Sequence, residues 1–180
     1  AALVTLGLVL LTGIGGMTSF GQAAFVGLGA YTTAWLGTSQ ELPAALAWAA
    51  GSPTAALAGG LLLTLAVASL LGALTLRMSG HYLPLATIAW GLSLYYLLGN
   101  IDALGKYDGL LGIPALELFG VTLNTGRSFY WLLWLIVLLA AFGAIRLLDS
   151  RTGRALRAVK GGTTMAEAMG VNTFRIKVTA

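Results

Sequence analysis

Apolar residues run along this chain in long stretches, and short segments between them hold most of the polar positions. Thr54–Leu76 and Ser128–Leu148 are plain apolar runs, and Leu83–Ile101 is close to one. A helix rises about 1.5 Å per residue, so about 20 apolar residues cross the hydrocarbon layer. Each run predicts a membrane-spanning helix. The first 37 residues are apolar throughout, but Gly13, Gly15, Gly16 and Gly21 interrupt them. They divide into Ala1–Gly16 and Gln22–Gly37, each shorter than a comfortable span. Two readings stay open there: short glycine-broken helices that expose backbone groups at a central site, or a tight hairpin between ordinary helices. The expected architecture is all-α, a polytopic transmembrane bundle with about five spans. Residues 1–180 form one membrane domain in this reading. The chain begins inside an apolar run without an initiator Met, as a piece of a longer protein would.

Composition supports the pattern. Hydrophobic residues make up 58% of the 180 and charged residues 9%, against roughly 25% charged in soluble domains. Such a chain could not cover a water-facing surface with polar groups. With no cysteine, disulfides, thiol nucleophiles and cysteine metal sites are excluded.

Charge then sets the orientation. Seven of the ten basic residues fall in the last 35 positions: Arg146, Arg151, Arg154, Arg157, Lys160, Arg175 and Lys177. Basic loops flank membrane spans on the cytoplasmic side. The region after Leu148 is therefore expected inside, Asp102–Arg127 outside, Arg77–His81 inside and Thr38–Pro53 outside. Phe129, Tyr130, Trp131 and Trp134 begin one span, and Tyr95 and Tyr96 end another. Both groups fall at the outer interface, where aromatic rings prefer to lie. In Gln22–Gly37, the small residues Ala23, Gly27, Ala30 and Ala34 share one helix face, which predicts close packing there. Phe25, Leu28 and Trp35 then face lipid.

Candidate chemistry is sparse. Ser19, Gln22 and Tyr31 lie in or beside the glycine-rich segment. A buried amide needs a partner in hydrocarbon, so Gln22 either lines a translocation path with Ser19, Tyr31 and freed backbone groups or makes an interhelical hydrogen bond. His81 is the only histidine and cannot make a metal site alone; it reads as an interfacial residue. Gly109-Leu110-Leu111-Gly112-Ile113-Pro114 reads as an external loop whose glycines permit positive φ. Asp102, Asp108 and Glu117 read as solvated loop carboxylates. Gly-rich phosphate loops and a convincing nucleophile–base pair are missing.

The most informative segment is 149–177. Arg151, Arg154, Arg157 and Lys160 recur every third position, as in a short basic helix on a membrane surface. Lipid headgroups are the expected contact of such a chain, rather than nucleic acid. Gly161-Gly162 breaks it. Thr164 and Glu167 then form a capping-box pattern, and Gly170 suits a helix C-terminus. Thr164–Met169 would be a helix of about two turns with exposed Met165 and Met169. So short a helix is unstable alone in water, so something docks on it, or it lies on the bilayer.

Gly153-Arg154-Ala155-Leu156-Arg157-Ala158, followed by Ala166-Glu167-Ala168-Met169-Gly170-Val171-Asn172, resembles the Glu-Ala-Ala-type loop of ABC-importer permeases. The closer resemblance is to bacterial branched-chain amino-acid permeases of the M type. Ser19–Phe25 with Gly27–Tyr31, Leu76–Tyr82 and Gly109–Pro114 agree with that family in the same order. The resemblance implies a permease paired with a second permease, two cytoplasmic ATP-binding subunits and a periplasmic substrate-binding protein. The chain itself would bind no cofactor and catalyse no bond chemistry, ATP and Mg belonging to the partner subunits. Residues Thr164, Met165, Glu167, Ala168, Met169 and Gly170 would couple it to the ATPase. The location implied is the bacterial inner membrane. The family often carries an acidic residue where His81 stands. Urea and short-amide importers use similar permeases, and a secondary transporter or channel without an ATPase is the competing class.

Overall fold

The computed structural model describes residues 1–39, 52–75, 78, 82–118, 121–123, 125–174 and 176. Arg77, His81, Glu41, Arg175 and Lys177 lie outside these residues. The elements are α1 (Ala2–Leu8), continued by a π-helical stretch Val9–Ile14, then α2 (Gln22–Thr38), α3 (Pro53–Thr75), α4 (Tyr82–Asn100), a 3-10 turn Asp102–Leu104, α5 (Gly126–Asp149), α6 (Arg151–Gly161) and α7 (Thr163–Ala168). The only extended pairing among the described residues is two residues long, β1 (Glu117–Leu118) against β2 (Val121–Thr122), antiparallel. The chain is an all-α membrane bundle with this small hairpin in a loop.

Three helices among the described residues are long and apolar enough to cross a membrane: α3, α4 and α5. Their ends fall within about three residues of those the apolar runs predict. Pro53 begins α3, where its missing N–H costs nothing, and the Ser52 hydroxyl accepts from the Ala55 amide at 3.4 Å. Pro84 sits in the first turn of α4. The two earlier segments are shorter. Ala2–Ile14 would span about 20 Å and α2 about 26 Å at helical rise, so both fall below the ~30 Å hydrocarbon thickness. The glycines do not break α2, which runs through Gly27, Gly29 and Gly37. Irregularity is concentrated in the π-helical stretch and in the non-helical connection that follows it.

The chain divides into two compact units. One comprises Ala1–Gln22, Leu71–Ile88 and Trp131–Ala180; the other comprises Ala23–Leu70 and Ala89–Tyr130. In the second unit, Leu28, Leu98 and Leu104 form a buried cluster with Tyr31, Trp35, Val67, Ile101 and Leu110 packed around it. This corrects the expected face of α2 in part. Ala34 is buried at 7% and Gly27 faces Leu98 as expected, but Leu28 is 8% exposed, while Ala23 and Ala30 are exposed. The reason is the loop after α4, which brings Leu104 and Leu110 into the cluster with Leu28. Close approach of α2 and α3 occurs elsewhere on the helix, at Gly29, Thr33, Gly60 and Thr64. A Cβ on Gly60 would overlap the Thr33 hydroxyl, and one on Gly29 would lie 3.1 Å from that of Thr64. The loop turns through Gly105, Gly109 and Gly112, all at φ between 72° and 77°. Asp102 pairs with Lys106 at 2.5 Å, and both side chains are exposed, as solvated loop charges should be. Tyr95 and Tyr96, exposed and 5.5 Å apart edge to face, and the exposed rings of Phe129–Trp131 suit an interfacial position.

Candidate functional site

The segment 149–174 is built on the end of α5. Ser150, extended at φ −74°, ψ 173°, stops α5 and caps α6: its hydroxyl accepts from the Gly153 amide at 3.3 Å. Gly153 is required at this corner, because a Cβ would lie 2.4 Å from the carbonyl oxygens of both Leu147 and Leu148. The α6 helix buries Gly153, Leu156 and Val159 on one face, and its basic residues lie on the other sides. Three of the four bond to carbonyls. Arg154 Nη1 donates to the Asp149 carbonyl at 2.7 Å, Arg157 Nη2 to that of Leu148 at 2.6 Å, and Lys160 Nζ to that of Gly13 at 2.5 Å. A helix C-terminus has unpaired carbonyls and a partial negative charge, so these cations satisfy helix ends as well as offering charge outward. Arg151 is exposed.

Gly162, at φ 155°, ψ 117°, breaks the chain between α6 and α7. The predicted capping box is not formed. The helix starts at Thr163 with Gly162 as its cap and no side-chain cap bond, so Thr164 sits two positions inside the helix instead of at its cap. Glu167 instead accepts from the Thr173 hydroxyl at 2.5 Å. The expected C-terminus does form. Gly170 is left-handed at φ 78°, its amide bonds the Glu167 carbonyl and the Val171 amide bonds that of Ala166, which is a Schellman closure. Ala166 is buried at 4%, whereas Met165 and Met169 are 72% and 80% exposed. Thr164, Glu167, Ala168 and Gly170 are exposed as well. The result is a small closed helix with one alanine turned inward and a thioether surface turned out.

The other sequence candidates are dispersed. Ser19 is half-buried in the connection before α2, and half-buried Gln22 starts that helix, its amide nitrogen 3.6 Å from where a Cβ on Gly7 would stand. Tyr31 belongs to the second unit and packs on the Leu28–Leu98–Leu104 cluster. Sequence reasoning missed the Phe20 amide's bond to the Thr87 hydroxyl at 3.1 Å and the Lys160–Gly13 bond. It also missed the Ser150 cap and the Gly153 corner, for which a serine just before the basic helix was the available signal. No group of three or more His, Cys, Asp or Glu able to hold a metal occurs among the described residues.

Residues 1–180 match the family model described as "Branched-chain amino acid transport system / permease component". The chain belongs to this permease family. Two relatives of the permease chain are "High-affinity branched-chain amino acid transport system permease protein LivM" of Escherichia coli (strain K12) and the protein of the same description from Salmonella typhimurium. Each is 30% identical over 199 residues, covering 97% of this chain and 45% of the relative. The permease chain thus spans just under half the length of the curated relatives it matches. No solved structure matches it.

Proposed function

We propose that this chain is the membrane-spanning part of an ABC-importer permease that carries branched-chain or other hydrophobic amino acids inward across the bacterial inner membrane. The α7 helix would be the coupling element, seated in a partner ATP-binding subunit. A second, similar permease would complete the pathway, and a periplasmic binding protein would deliver substrate. ATP and Mg would act in the partner, and this chain would make and break no bonds.

The observation that carries the proposal is the geometry of α7. It is six residues long, bounded by Gly162 and Gly170, closed at its C-terminus and exposed at Met165 and Met169. Helices this short do not persist alone, and flexible thioethers suit an adaptable contact surface. Sidedness is consistent with the loop assignments: the first unit holds the start of α4 and the segment after α5, beside or within the stretches expected on the inner face.

The test is reconstitution of the full-length permease with its partners in proteoliposomes. Glu167→Lys should leave the permease inserted and reduce both leucine uptake and stimulation of ATP hydrolysis. Unchanged uptake, or a purified transporter that works with no ATPase, would overturn the coupling role. Binding of urea or a short amide by the cognate binding protein would reassign the substrate.

A further inference from the structure

Thr12 marks an unusual place in the first helix. Among the described residues its Oγ1 is the one buried side-chain oxygen without a hydrogen-bond partner. Several helical threonines bond the carbonyl three or four residues back: Thr32 to Leu28, Thr38 to Ala34, Thr64 to Gly60, Thr75 to Leu71 and Thr87 to Pro84, all at 2.7–2.8 Å. Thr12 lies in the π-helical stretch Val9–Ile14, whose backbone bonds reach five residues back rather than four. π-Helical turns are rare and recur at functional sites. A buried hydroxyl left unpaired asks for an explanation.

The end of the same stretch is held from outside. Lys160 Nζ donates to the Gly13 carbonyl at 2.5 Å, and the Lys160 stem lies against Gly16. There φ is 65°, and an added Cβ would meet Lys160 Cγ at 3.1 Å. Lys160 is two residues before the Gly162 break that leads into α7. At its other end α6 is fastened to α5 by the Ser150 cap, Arg154 and Arg157. A push on α7 therefore reaches the first helix at Lys160.

We propose that Lys160 is a positioning residue that holds Val9–Ile14 in the π-helical register, and that displacement of α7 releases it so the stretch returns to α-helix with the Thr12 hydroxyl bonded to the Leu8 carbonyl. The inference rests on α7 being the coupling element. It adds the two-register element that such coupling requires and names which helix receives the movement.

The experiment uses the full-length permease in its ATPase complex, in proteoliposomes, with radiolabelled leucine and with hydrogen exchange read over residues 9–16. Exchange there should differ between the nucleotide-free and the vanadate-trapped complex. Lys160→Met should erase that difference and lower uptake about tenfold, within the usual range of coupling between sites, while the ATPase stays bound on purification. Lys160→Arg should restore most of the uptake. Thr12→Val, which removes the hydroxyl at constant shape, loses a bond only in the α register. It should increase the population of the π register about fivefold, the effect of one hydrogen bond, and slow uptake. Identical exchange in both states with the ATPase bound, or wild-type uptake by Lys160→Met, overturns the register switch and leaves the coupling role of α7 standing. Loss of the ATPase from the wild-type preparation overturns both.

Discussion

Arg157 reaches back nine residues to donate to the Leu148 carbonyl at 2.6 Å, so a side chain of α6 closes the end of α5. Arg154 does the same for the neighbouring Asp149 carbonyl. Cations at a helix C-terminus stabilise it by about 0.3–1 kcal/mol when exposed, and both arginines are exposed. Arg154→Ala with Arg157→Ala should therefore cost about 0.6–2 kcal/mol together. Urea unfolding of the detergent-solubilised protein reads this, and no loss would mean that both groups serve only the surface.

Gly153 should tolerate nothing larger. An added methyl would lie 2.4 Å from two carbonyl oxygens, and overpacking of that kind costs about 1–3 kcal/mol or more. Gly143→Ala in α5 is the control: nothing lies within 4 Å of its Cβ position, so helix propensity should make it neutral or stabilising by up to ~1 kcal/mol. Thermal unfolding midpoints of the two variants in the same detergent should move in opposite directions.

In the second unit, Gly60→Ala should be destabilising because its Cβ would overlap the Thr33 hydroxyl. Thr33→Ala should rescue much of that loss, leaving the Gly29 carbonyl at 3.1 Å and the Cβ of residue 33 at 3.3 Å as the remaining close contacts. A double-mutant cycle should give a coupling of about 0.5–3 kcal/mol between the positions. Simple additivity would show that α2 and α3 do not cross at these residues.

Lys106 is the non-glycine residue with positive φ, at 52°, among those described. That conformation costs roughly 1–2 kcal/mol, whereas its exposed pair with Asp102 contributes about 0.2–1 kcal/mol. The backbone term wins. Lys106→Gly should be neutral to slightly stabilising, and Asp102→Ala should cost less than about 1 kcal/mol. A clear loss of stability in Lys106→Gly would reverse the ranking.

The helices were legible wherever an apolar run of spanning length ended in a proline, a serine or a charged residue, as at Pro53 and Asp149. The closure at Gly170 was legible because left-handed backbone favours glycine. The capping box at Thr164 was misread because Thr163 and Thr164 offer the same cap chemistry one residue apart, and Gly162 took the position. The face of α2 was misread for another reason. Small residues at helical spacing permit close approach, but they do not say where a partner comes close, and Leu28 was recruited by a loop some 75 residues away. No local pattern announces Lys160 on Gly13, 147 residues apart. The π-helical stretch likewise has no sequence mark beyond Gly13 within it and the glycines that follow it.

The fastening of α6 is unequal at its two ends. Near Ser150 it is held by a cap, a close glycine corner and two guanidinium groups; near Lys160 a single ammonium makes the polar link to the first helix. Were α7 displaced as proposed, α6 would turn about its Ser150 end like a lever, and the weaker Lys160 link to the start of the chain would yield first.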